Sequence, residues 1–472
     1  MNVKFFYGKS AKIGVMKDTI RILHINDLHS HFEQYPQLKR AVDDLSQTDR
    51  ELIKVDLGDN VDKSHPLSDA TAGRFNVALM NELGIDYATI GNNEGIGLAK
   101  AELDCLYEQA NFQPIIGNLK DKGRQPDWAK PYLIYQTKAG TKIAFLAYTF
   151  PYYVTYAPNG WEVLNPLTQL EEDLARPEVL DADIVVLLSH LGIRYDEQIA
   201  ETYPQVNLII GSHTHHLFEE GKLINETYLA AADRYGYYIG CIDLTVEDGQ
   251  LRECQIVAIP TKTYLLDLDK EDQVFIQAMR EEGYRRLAQE KVADLGRKLS
   301  FDETCQVVLE AVCQETDSQL TVLNTGLIMK TLGPQVNMAD LQEALPHQMR
   351  MARLVVTGQE LKEICQEVFT KAELLRNQTI KGMGFRGKTF GQVITGNFAY
   401  KNGNLLYNGR VVDSHEKFSL VLVDQYYYAA YFPTIKEKDA TLLFPDLLRE
   451  LVAKYLRKNG ANWDKSIITA SR

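Results

Sequence analysis

The 472-residue sequence lacks the features that mark membrane, disulfide-rich and nucleic-acid-binding proteins. No stretch approaches the roughly 18 consecutive apolar residues of a membrane span. The six cysteines are scattered without a C-x-x-C pair, which argues against a zinc ribbon and a dense disulfide framework. Positive charge is in deficit, with 51 Lys and Arg against 64 Asp and Glu, so we expect neither long nucleic acid nor a membrane as a partner.

The composition is otherwise that of a folded globular protein. Apolar residues make up 45% and charged residues 24% of the chain, close to globular averages. The length allows two or three domains. The first 18 residues lack the continuous apolar segment of a secretory signal, so we expect a cytoplasmic protein.

Short apolar runs alternate with helical patterns in the first half of the chain, which is typical of a layered α/β fold. Eight of the ten histidines lie in this half. The predicted strands are Ile20–Ile25, Leu52–Val55, Tyr87–Ile90, Pro114–Ile116, Ile143–Ala147, Ile184–Leu188 and Leu208–Ile210.

Side chains with metal-binding chemistry follow these strands. In chain order they are Asp27, His29, Asp59, Asn92, His190, His213 and His215. The carboxyl ends of strands are where α/β sheets place ligand sites. Carboxylates, imidazoles and a carboxamide without thiolates favour two divalent ions such as Mn²⁺, Zn²⁺, Fe²⁺ or Mg²⁺. Two ions about 3.5–4 Å apart would bind a phosphate and activate water, which predicts a phosphoesterase.

The pattern changes in the second half of the chain. We predict a catalytic domain over residues 19–265, an interdomain helix over 266–294 and an α+β domain over 295–472. Within the last of these, the spacing predicts helices at Gly358–Leu375 and Pro445–Arg457.

The motifs resemble those of dinuclear metallophosphoesterases, and more narrowly the two-domain 5′-nucleotidase family that includes UDP-sugar hydrolases and 2′,3′-cyclic phosphodiesterases. The stretches concerned are ILHINDLHSH, VDLGDN, LNELGIDYATIGNNE, LLSHLG and LIIGSHTHH. The resemblance implies a four-layer α/β/β/α catalytic domain followed by a smaller α+β domain. It also implies hydrolysis of phosphoester or phosphoanhydride bonds in a small phosphorylated molecule, namely a nucleoside monophosphate, cyclic nucleotide or nucleotide sugar.

By position, the resemblance implies a ligand set for each metal. The first set is Asp27, His29, Asp59 and His215, and the second is Asp59, Asn92, His190 and His213. Asp59 would bridge the two ions. Together with Asn92 it would act in catalysis around a hydroxide shared by the metals.

The third motif departs from the family pattern. Asn93 replaces the family's catalytic histidine, and Ile96 replaces the aspartate that orients it. An amide cannot release a proton, so acid–base assistance is reduced. Three readings remain open: substrates with good leaving groups such as pyrophosphates, a proton supplied by another residue such as His65, or weakened catalysis in a metal-bound nucleotide-binding or regulatory protein.

The second domain departs further from the family. Met329 replaces the substrate-binding arginine of the loop that begins at Asn324, and Lys330 could supply a point charge instead. Phe390 and Tyr426 resemble the two rings that sandwich the base. We therefore expect Asn324, Phe390 and Tyr426 to contact the substrate.

Three arginines offer an alternative anion clamp, because a guanidinium group matches phosphate geometry. They are Arg350, Arg353 and Arg386. Solvated surface positions are the competing interpretation.

Overall fold

The computed structural model describes residues 17–265, 270–380, 385–401 and 403–460. Fourteen strands lie in the first of these ranges. They are Lys17–Ile25 (β1), Glu51–Asp56 (β2), Tyr87–Ala88 (β3), Gln113–Pro114 (β4), Leu119–Lys120 (β5), Tyr132–Gln136 (β6), Lys142–Thr149 (β7), Glu162–Val163 (β8), Ile184–His190 (β9), Leu208–Gly211 (β10), Lys222–Ile224 (β11), Thr227–Ala230 (β12), Tyr238–Glu247 (β13) and Gln250–Pro260 (β14).

Twelve of these strands form two six-stranded sheets. The first sheet has the order β14-β13-β1-β2-β3-β4, and the second has the order β11-β12-β10-β9-β7-β6. Along β9, Ile184, Val186 and Leu188 face the other sheet. Val185 and Leu187 face a layer of helices. Burial on both sides explains why this strand is a continuous apolar run.

Helices lie between these strands, and most of them cover the outer face of a sheet. They are Tyr35–Leu45 (α1), Pro66–Ala70 (α2), Arg74–Leu83 (α3), Lys100–Leu106 (α4), Tyr153–Tyr156 (α5), Pro166–Leu174 (α6), Pro177–Leu180 (α7) and Ile193–Thr202 (α8), with 3-10 turns at Phe32–Gln34 and Thr261–Tyr264 and a π-helical turn at Asn93–Gly97. Helices α1, α3 and α4 pack on the first sheet, and α6 and α8 pack on the second. The predicted α/β/β/α layering is confirmed.

A long helix, Lys270–Ala288 (α9), follows the sheets. It is shorter than the predicted 266–294, of which residues 266–269 lie outside the described ranges. Lys291–Asp294 forms a strand (β15) that pairs with Gln335–Asn337, so this end of the predicted helix is wrong. Helix α9 contacts α2 on one side and the second domain on the other.

The strands of the second domain after β15 are Leu320–Asn324 (β16), Gln335–Asn337 (β17), Met351–Thr357 (β18), Val393–Gly396 (β19), Phe398–Lys401 (β20), Asn404–Tyr407 (β21), Arg410–Val411 (β22), Lys417–Val423 (β23) and Ala440–Leu443 (β24). Five of them form a mixed sheet with the order β19-β16-β23-β18-β24. Its helices are Phe301–Glu315 (α10), Met338–Ala344 (α11), Gly358–Leu375 (α12), Asp424–Tyr428 (α13), Pro433–Lys436 (α14) and Leu448–Asn459 (α15), with a 3-10 turn at Thr325–Leu327.

Helix α12 occupies the predicted range, and its start has a local cause. The Thr357 hydroxyl accepts a hydrogen bond from the Glu360 backbone N–H, and the Glu360 carboxylate accepts one from the Thr357 N–H. This reciprocal capping box satisfies two N–H groups that would otherwise lack partners. Helix α15 begins three residues later than predicted, at Leu448.

The two domains meet beside the loops that follow β2 and β3. Arg386 forms an ion pair with Asp62 at 2.6 Å, and Arg350 donates a hydrogen bond to the Gly97 carbonyl at 3.0 Å. None of the helices that the structure describes combines the length and apolar character of a membrane span.

Candidate metal centre

The loops that carry the predicted metal ligands converge because the strands before them end together. Ile25 pairs with Asp56 and Asp56 with Ala88 at the ends of three parallel strands of the first sheet. Ser189 pairs with Gly211 in the second sheet. The parallel strands of both sheets therefore place their carboxyl-terminal loops at one site.

Two clusters of metal-binding side chains form at this site. Within the described residues, one cluster contains Asp27, His29 and His215, and the other contains Asp59, His190 and His213. The ligand atoms of each cluster lie within 4.8 Å of one another. The structure thus groups these six predicted ligands as the resemblance implies, while their role as ligands stays a prediction.

Asp59 lies between the two clusters. Its Oδ2 atom is 3.7 Å from Nε2 of His29 and 3.5 Å from Nε2 of His190. Its Oδ1 atom accepts the backbone N–H of Asn93 at 2.7 Å, which orients the carboxylate. One oxygen is therefore placed to serve both clusters.

Several of the predicted ligands have left-handed backbone conformations. The φ values are 45° for Asp27, 48° for His29, 50° for Asp59, 71° for His213 and 53° for His215. Such conformations are uncommon outside glycine and cost about 1–3 kcal/mol each. Strained backbone concentrated in this way is typical of functional sites.

Hydrogen bonds orient the imidazoles of the second cluster. Nδ1 of His190 lies 2.7 Å from the Leu57 carbonyl oxygen and donates a hydrogen bond to it, so Nε2 is the ring nitrogen that faces Asp59. Nε2 of His213 lies 3.2 Å from the Tyr152 hydroxyl, and its ring stacks on Phe150 at 5.0 Å. Nδ1 of His213 is then left to face the centre.

Charge favours the carboxylate form of Asp59, and burial favours the neutral form of His213. Although burial opposes ionisation, the imidazoles of His190 and His29 hold the pKa of Asp59 below its usual range. Burial lowers the pKa of His213 to about 4. A carboxylate and a neutral imidazole are the forms that bind divalent cations.

Unpartnered polar atoms test whether the site fits metal ions. Within the described parts of the chain, Asp27 Oδ1, Asn92 Oδ1 and His190 Nε2 are buried without a hydrogen-bond partner. Such atoms are costly unless another group satisfies them. All three atoms belong to predicted ligands. Two are oxygens and one is an imidazole nitrogen, and such a mixed set of donors fits divalent cations.

Glu94 supports the centre, and its place in the third motif is the one sign of this role in the sequence. Its buried carboxylate accepts the backbone N–H groups of Asp59 at 2.9 Å, Val61 at 2.8 Å and Gly91 at 2.9 Å. It therefore joins the loops that follow β2 and β3. Loss of this carboxylate would leave three buried donors without partners.

Comparison with known proteins agrees with this geometry. Residues 20–217 match the family described as calcineurin-like phosphoesterases. The chain is also 35% identical over 462 residues to the metallophosphoesterase YunD of Bacillus subtilis, covering 93% of this chain and 99% of that protein. The chain belongs to the calcineurin-like phosphoesterase family. It is a metal-dependent phosphoric ester hydrolase, and the expected pair of divalent metal ions is the cofactor of the family.

The match to 5′-nucleotidases extends over both domains of this phosphoesterase. The chain is 22% identical to the 5′-nucleotidase of Vibrio cholerae over 429 residues. The aligned region covers 75% of this chain and 76% of that protein. Its fold matches the NAD nucleotidase NadN of Haemophilus influenzae with a TM-score of 0.63 at 15% identity, covering 94% of this chain and 97% of the other. The predicted two-domain 5′-nucleotidase-like fold is confirmed.

The three predicted substrate contacts of the second domain lie in its core. Phe390 and Tyr426 are buried, and their rings stack on each other with centroids 5.9 Å apart. Asn324 accepts a hydrogen bond from the Tyr426 hydroxyl at 2.6 Å and donates one to the Phe390 carbonyl. In this arrangement the two rings stack on each other and leave no room for a base between them, so the predicted base sandwich is not formed.

Two further predictions fail because of packing. His65, considered above as a proton donor, is only 9% exposed, and its Nδ1 accepts the Leu67 N–H at the start of α2. Arg350 is buried and bonded to carbonyl groups, so it neither faces solvent nor reaches the centre. Arg353 likewise donates to the Thr316 carbonyl.

A cleft of about 710 Å³ opens beside the first metal cluster. His29 lines this cleft together with Arg386, Met329 and Lys330 of the second domain. Arg386 is held by Asp62, whose Oδ2 also lies 3.7 Å from Nδ1 of His29. Of the three arginines considered as an anion clamp, Arg386 is therefore the one beside the centre.

Proposed function

We propose that this phosphoesterase hydrolyses phosphoester or phosphoanhydride bonds of nucleotides or nucleotide derivatives at the centre around Asp59. The observation that supports the proposal most strongly is the position of Asp59 Oδ2, within 3.7 Å of His29 and 3.5 Å of His190. A shared carboxylate is the arrangement that supports two-metal hydrolysis. The proposed ligands are Asp27, His29, Asp59, Asn92, His190, His213 and His215.

The side chains around the centre have distinct proposed roles. Two divalent cations, when bound, polarise the phosphoryl group and lower the pKa of bound water. Asn92 contributes its unpartnered carbonyl oxygen to the second cluster. The Asn93 amide lies beside His29, with its Nδ2 2.9 Å from Nδ1 of the imidazole, and its proposed role is to donate a hydrogen bond to a phosphoryl oxygen.

The residues near the centre favour a leaving group that departs without a proton. Asn93 cannot release a proton. Burial, followed by the nearby charge of Arg280, lowers the pKa of His65 to about 4, so this imidazole is neutral at physiological pH. A phosphate or another stable anion leaves readily without such help. Phosphoanhydrides and activated esters are therefore the favoured substrates.

The proposed substrates of the centre are nucleotides or their derivatives. It is supported by the likeness to 5′-nucleotidases over most of the chain. Because Phe390 and Tyr426 are buried, the base would contact the cleft residues instead.

We also propose the domain division 19–265, 266–294 and 295–472. The cytoplasm is the proposed compartment, supported by six cysteines that are all free thiols.

A panel of substrates tests the proposal. Phosphate release would be measured from nucleoside monophosphates, nucleoside diphosphates, cyclic nucleotides and nucleotide sugars, with Mn²⁺ or with a chelator, in wild type and Asp59→Asn. Turnover that requires both the metal and Asp59 is expected. Metal binding and nucleotide binding without any turnover would instead support the alternative of a catalytically weakened nucleotide-binding or regulatory protein.

A further inference from the structure

Helix α9 forms one wall of the cleft beside the metal centre. Three of its residues, Ile276, Arg280 and Tyr284, line the cleft. They recur every four positions, so they lie along one face of the helix. His29 and His65 line the same cleft. The helix between the domains therefore borders the cleft through which a substrate would reach the metal centre.

Close packing at Gly283 sets the position of this face. A Cβ atom on Gly283 would lie 2.3 Å from the Leu67 backbone nitrogen and 2.5 Å from the Pro66 carbonyl carbon. The backbone of α9 therefore meets the backbone of α2, the short helix capped by His65. This close approach restricts the position of α9, whose residues Arg280 and Tyr284 line the cleft.

The cleft carries a local excess of positive charge in a chain of net charge −13. Arg280, Lys330 and Arg386 line it together with two carboxylates, Glu33 and Glu343. Both carboxylates are already paired, because Glu33 contacts His31 and Glu343 contacts Lys330 at 2.5 Å.

Arg280 differs from the other cationic residues of the cleft in having no ion-pair or hydrogen-bond partner among the described residues. Arg386 is paired with Asp62 and Lys330 with Glu343. Across residues 17–265, 270–380, 385–401 and 403–460, the structure gives Arg280 neither an ion pair nor a hydrogen bond. Its exposed guanidinium group is therefore free to bind an anion that enters from solvent.

We propose that Arg280 on α9 binds an anionic phosphoryl group on the leaving portion of the substrate, so that the enzyme prefers phosphoanhydrides over monoesters of neutral alcohols. This inference rests on the proposed function and names the substrate class of the same site. The phosphoryl group that reacts would lie at the metal centre, and the phosphoryl group that leaves would lie in the cleft against α9.

The reaction balances without a general acid. The oxygen of water forms a bond to the phosphorus at the centre, and the bond from that phosphorus to the bridging oxygen breaks. The bridging oxygen leaves with the electron pair as part of the second phosphate. One proton of the water goes to solvent. Arg280 stabilises the charge that develops on the leaving phosphate.

Kinetics with two substrates test the role of Arg280. The value of kcat/KM would be measured for adenosine diphosphate, whose leaving portion carries a phosphate, and for p-nitrophenyl phosphate, whose leaving portion does not. In Arg280→Gln, the ratio of the two values should fall about tenfold or more, because charge-assisted bonds to phosphate are lost. Arg280→Lys should cause a smaller fall, since it keeps the charge but loses the fork.

Arg285→Gln is the matched control on the same helix, because Arg285 pairs with Glu282 and is not part of the cleft. It should leave the ratio at the wild-type value. An unchanged ratio in Arg280→Gln, or an equal fall in Arg285→Gln, would overturn the inference.

A binding measurement separates this inference from the proposed function. Calorimetry with Mn²⁺ present would compare methylenediphosphonate with inorganic phosphate. Arg280→Gln should weaken binding of the diphosphonate about tenfold more than binding of phosphate. If wild type hydrolyses nothing, the proposed function fails, but a selective loss of diphosphonate affinity would still support the Arg280 site. Equal affinity in wild type and variant would refute it.

Discussion

Gly91 has no side chain at the place where Asp59 needs room. A Cβ atom on Gly91 would lie 2.0 Å from Oδ1 and 2.6 Å from the backbone nitrogen of Asp59. Contacts this short are not tolerated, so one of the two loops must move if the glycine is replaced. The glycine therefore protects the geometry of the carboxylate that lies between the two clusters.

Gly91→Ala should weaken metal binding and activity more than it weakens the fold. The added methyl group displaces Asp59, and changes that disturb the support of a metal ligand typically cost about 10–100-fold in affinity or activity. Metal titration and kcat/KM would be measured together with thermal unfolding. Gly333→Ala is the matched control, because its Cβ meets nothing closer than 3.7 Å. Equal metal affinity in Gly91→Ala and wild type would show that the loop adapts.

Asp59→Asn should lower the affinity for both metal ions. The amide removes the charge from the oxygen that lies near His29 and His190. We expect kcat to fall by about 10²–10³-fold or more, the loss typical of removing a fixed charge partner of the transition state. Elemental analysis after gel filtration would count the bound metal. Asp413→Asn, at an exposed carboxylate, is the control. Loss of one ion with full retention of the other would contradict the shared position of Asp59.

Local pattern was sufficient to predict the layers and the convergence of the candidate ligands. Strand β9 is apolar on both faces because both are buried, and α12 starts where Thr357 can cap it. The ligands follow strands directly, so parallel pairing brings them together once the sheets form. Neither result depends on contacts between the domains.

Features that depend on how the two domains pack were not predictable from such patterns. Phe390 and Tyr426 are aromatic in either a core or a binding site, and their buried stacking is decided by the surrounding sheet. The positions of Arg386 and Arg280 in the cleft likewise result from distant segments that meet only in the folded chain. The local sequence around an arginine does not indicate which distant residues will surround its side chain in the folded protein.

Asn93→His should raise turnover of substrates with poor leaving groups. The backbone contact of Asn93 to Asp59 does not need the side chain, so a histidine can be introduced without losing it. A general acid typically contributes about 10²–10⁴-fold, and without the orienting aspartate at Ile96 we expect about tenfold for an alkyl phosphate. A phosphoanhydride should gain little. Equal gains for both substrates, measured as kcat, would point to a purely electrostatic effect.

A buried ion pair between the domains should contribute to stability. Arg449 of α15 is fully buried, and its Nη2 lies 2.9 Å from Oδ2 of Asp69 in α2. Nζ of Lys63 lies 3.7 Å from the other oxygen of the same carboxylate. Arg449→Met leaves the carboxylate with a weaker partner, and breaking such a pair costs about 3–5 kcal/mol. Urea unfolding would measure the loss.

The double variant Asp69→Asn/Arg449→Met should recover part of this loss, because it removes the charge left behind. Lys454→Met is the control, since its pair with Asp446 is partly exposed and should be worth under about 1 kcal/mol. A loss in Arg449→Met no larger than in this control would contradict a stabilising role for the buried pair.

Asp196 should make the stability of the first domain depend on pH. Its buried carboxyl accepts a hydrogen bond from the Ser189 hydroxyl, while within the described residues its Oδ2 has no partner. Burial raises its pKa from the ordinary 3.8 to about 8. The folded state therefore holds this proton more tightly than the unfolded state does, so its contribution to stability is fully present below pH 3.8 and is lost progressively up to about pH 8.

Asp196→Asn removes this titration and keeps an oxygen for the Ser189 hydroxyl. Relative to wild type, the variant should gain stability as the pH rises from about 4 to about 8, by about 2 kcal/mol or more across the range, because one unit of pKa shift corresponds to about 1.4 kcal/mol. Urea unfolding of both proteins at several pH values, with a chelator present throughout, would give this difference. Asp413→Asn should show no such trend, because its carboxyl is exposed. A constant difference between Asp196→Asn and wild type at every pH would mean that Asp196 is ionised in the folded protein, and that a partner or solvent reaches its second oxygen.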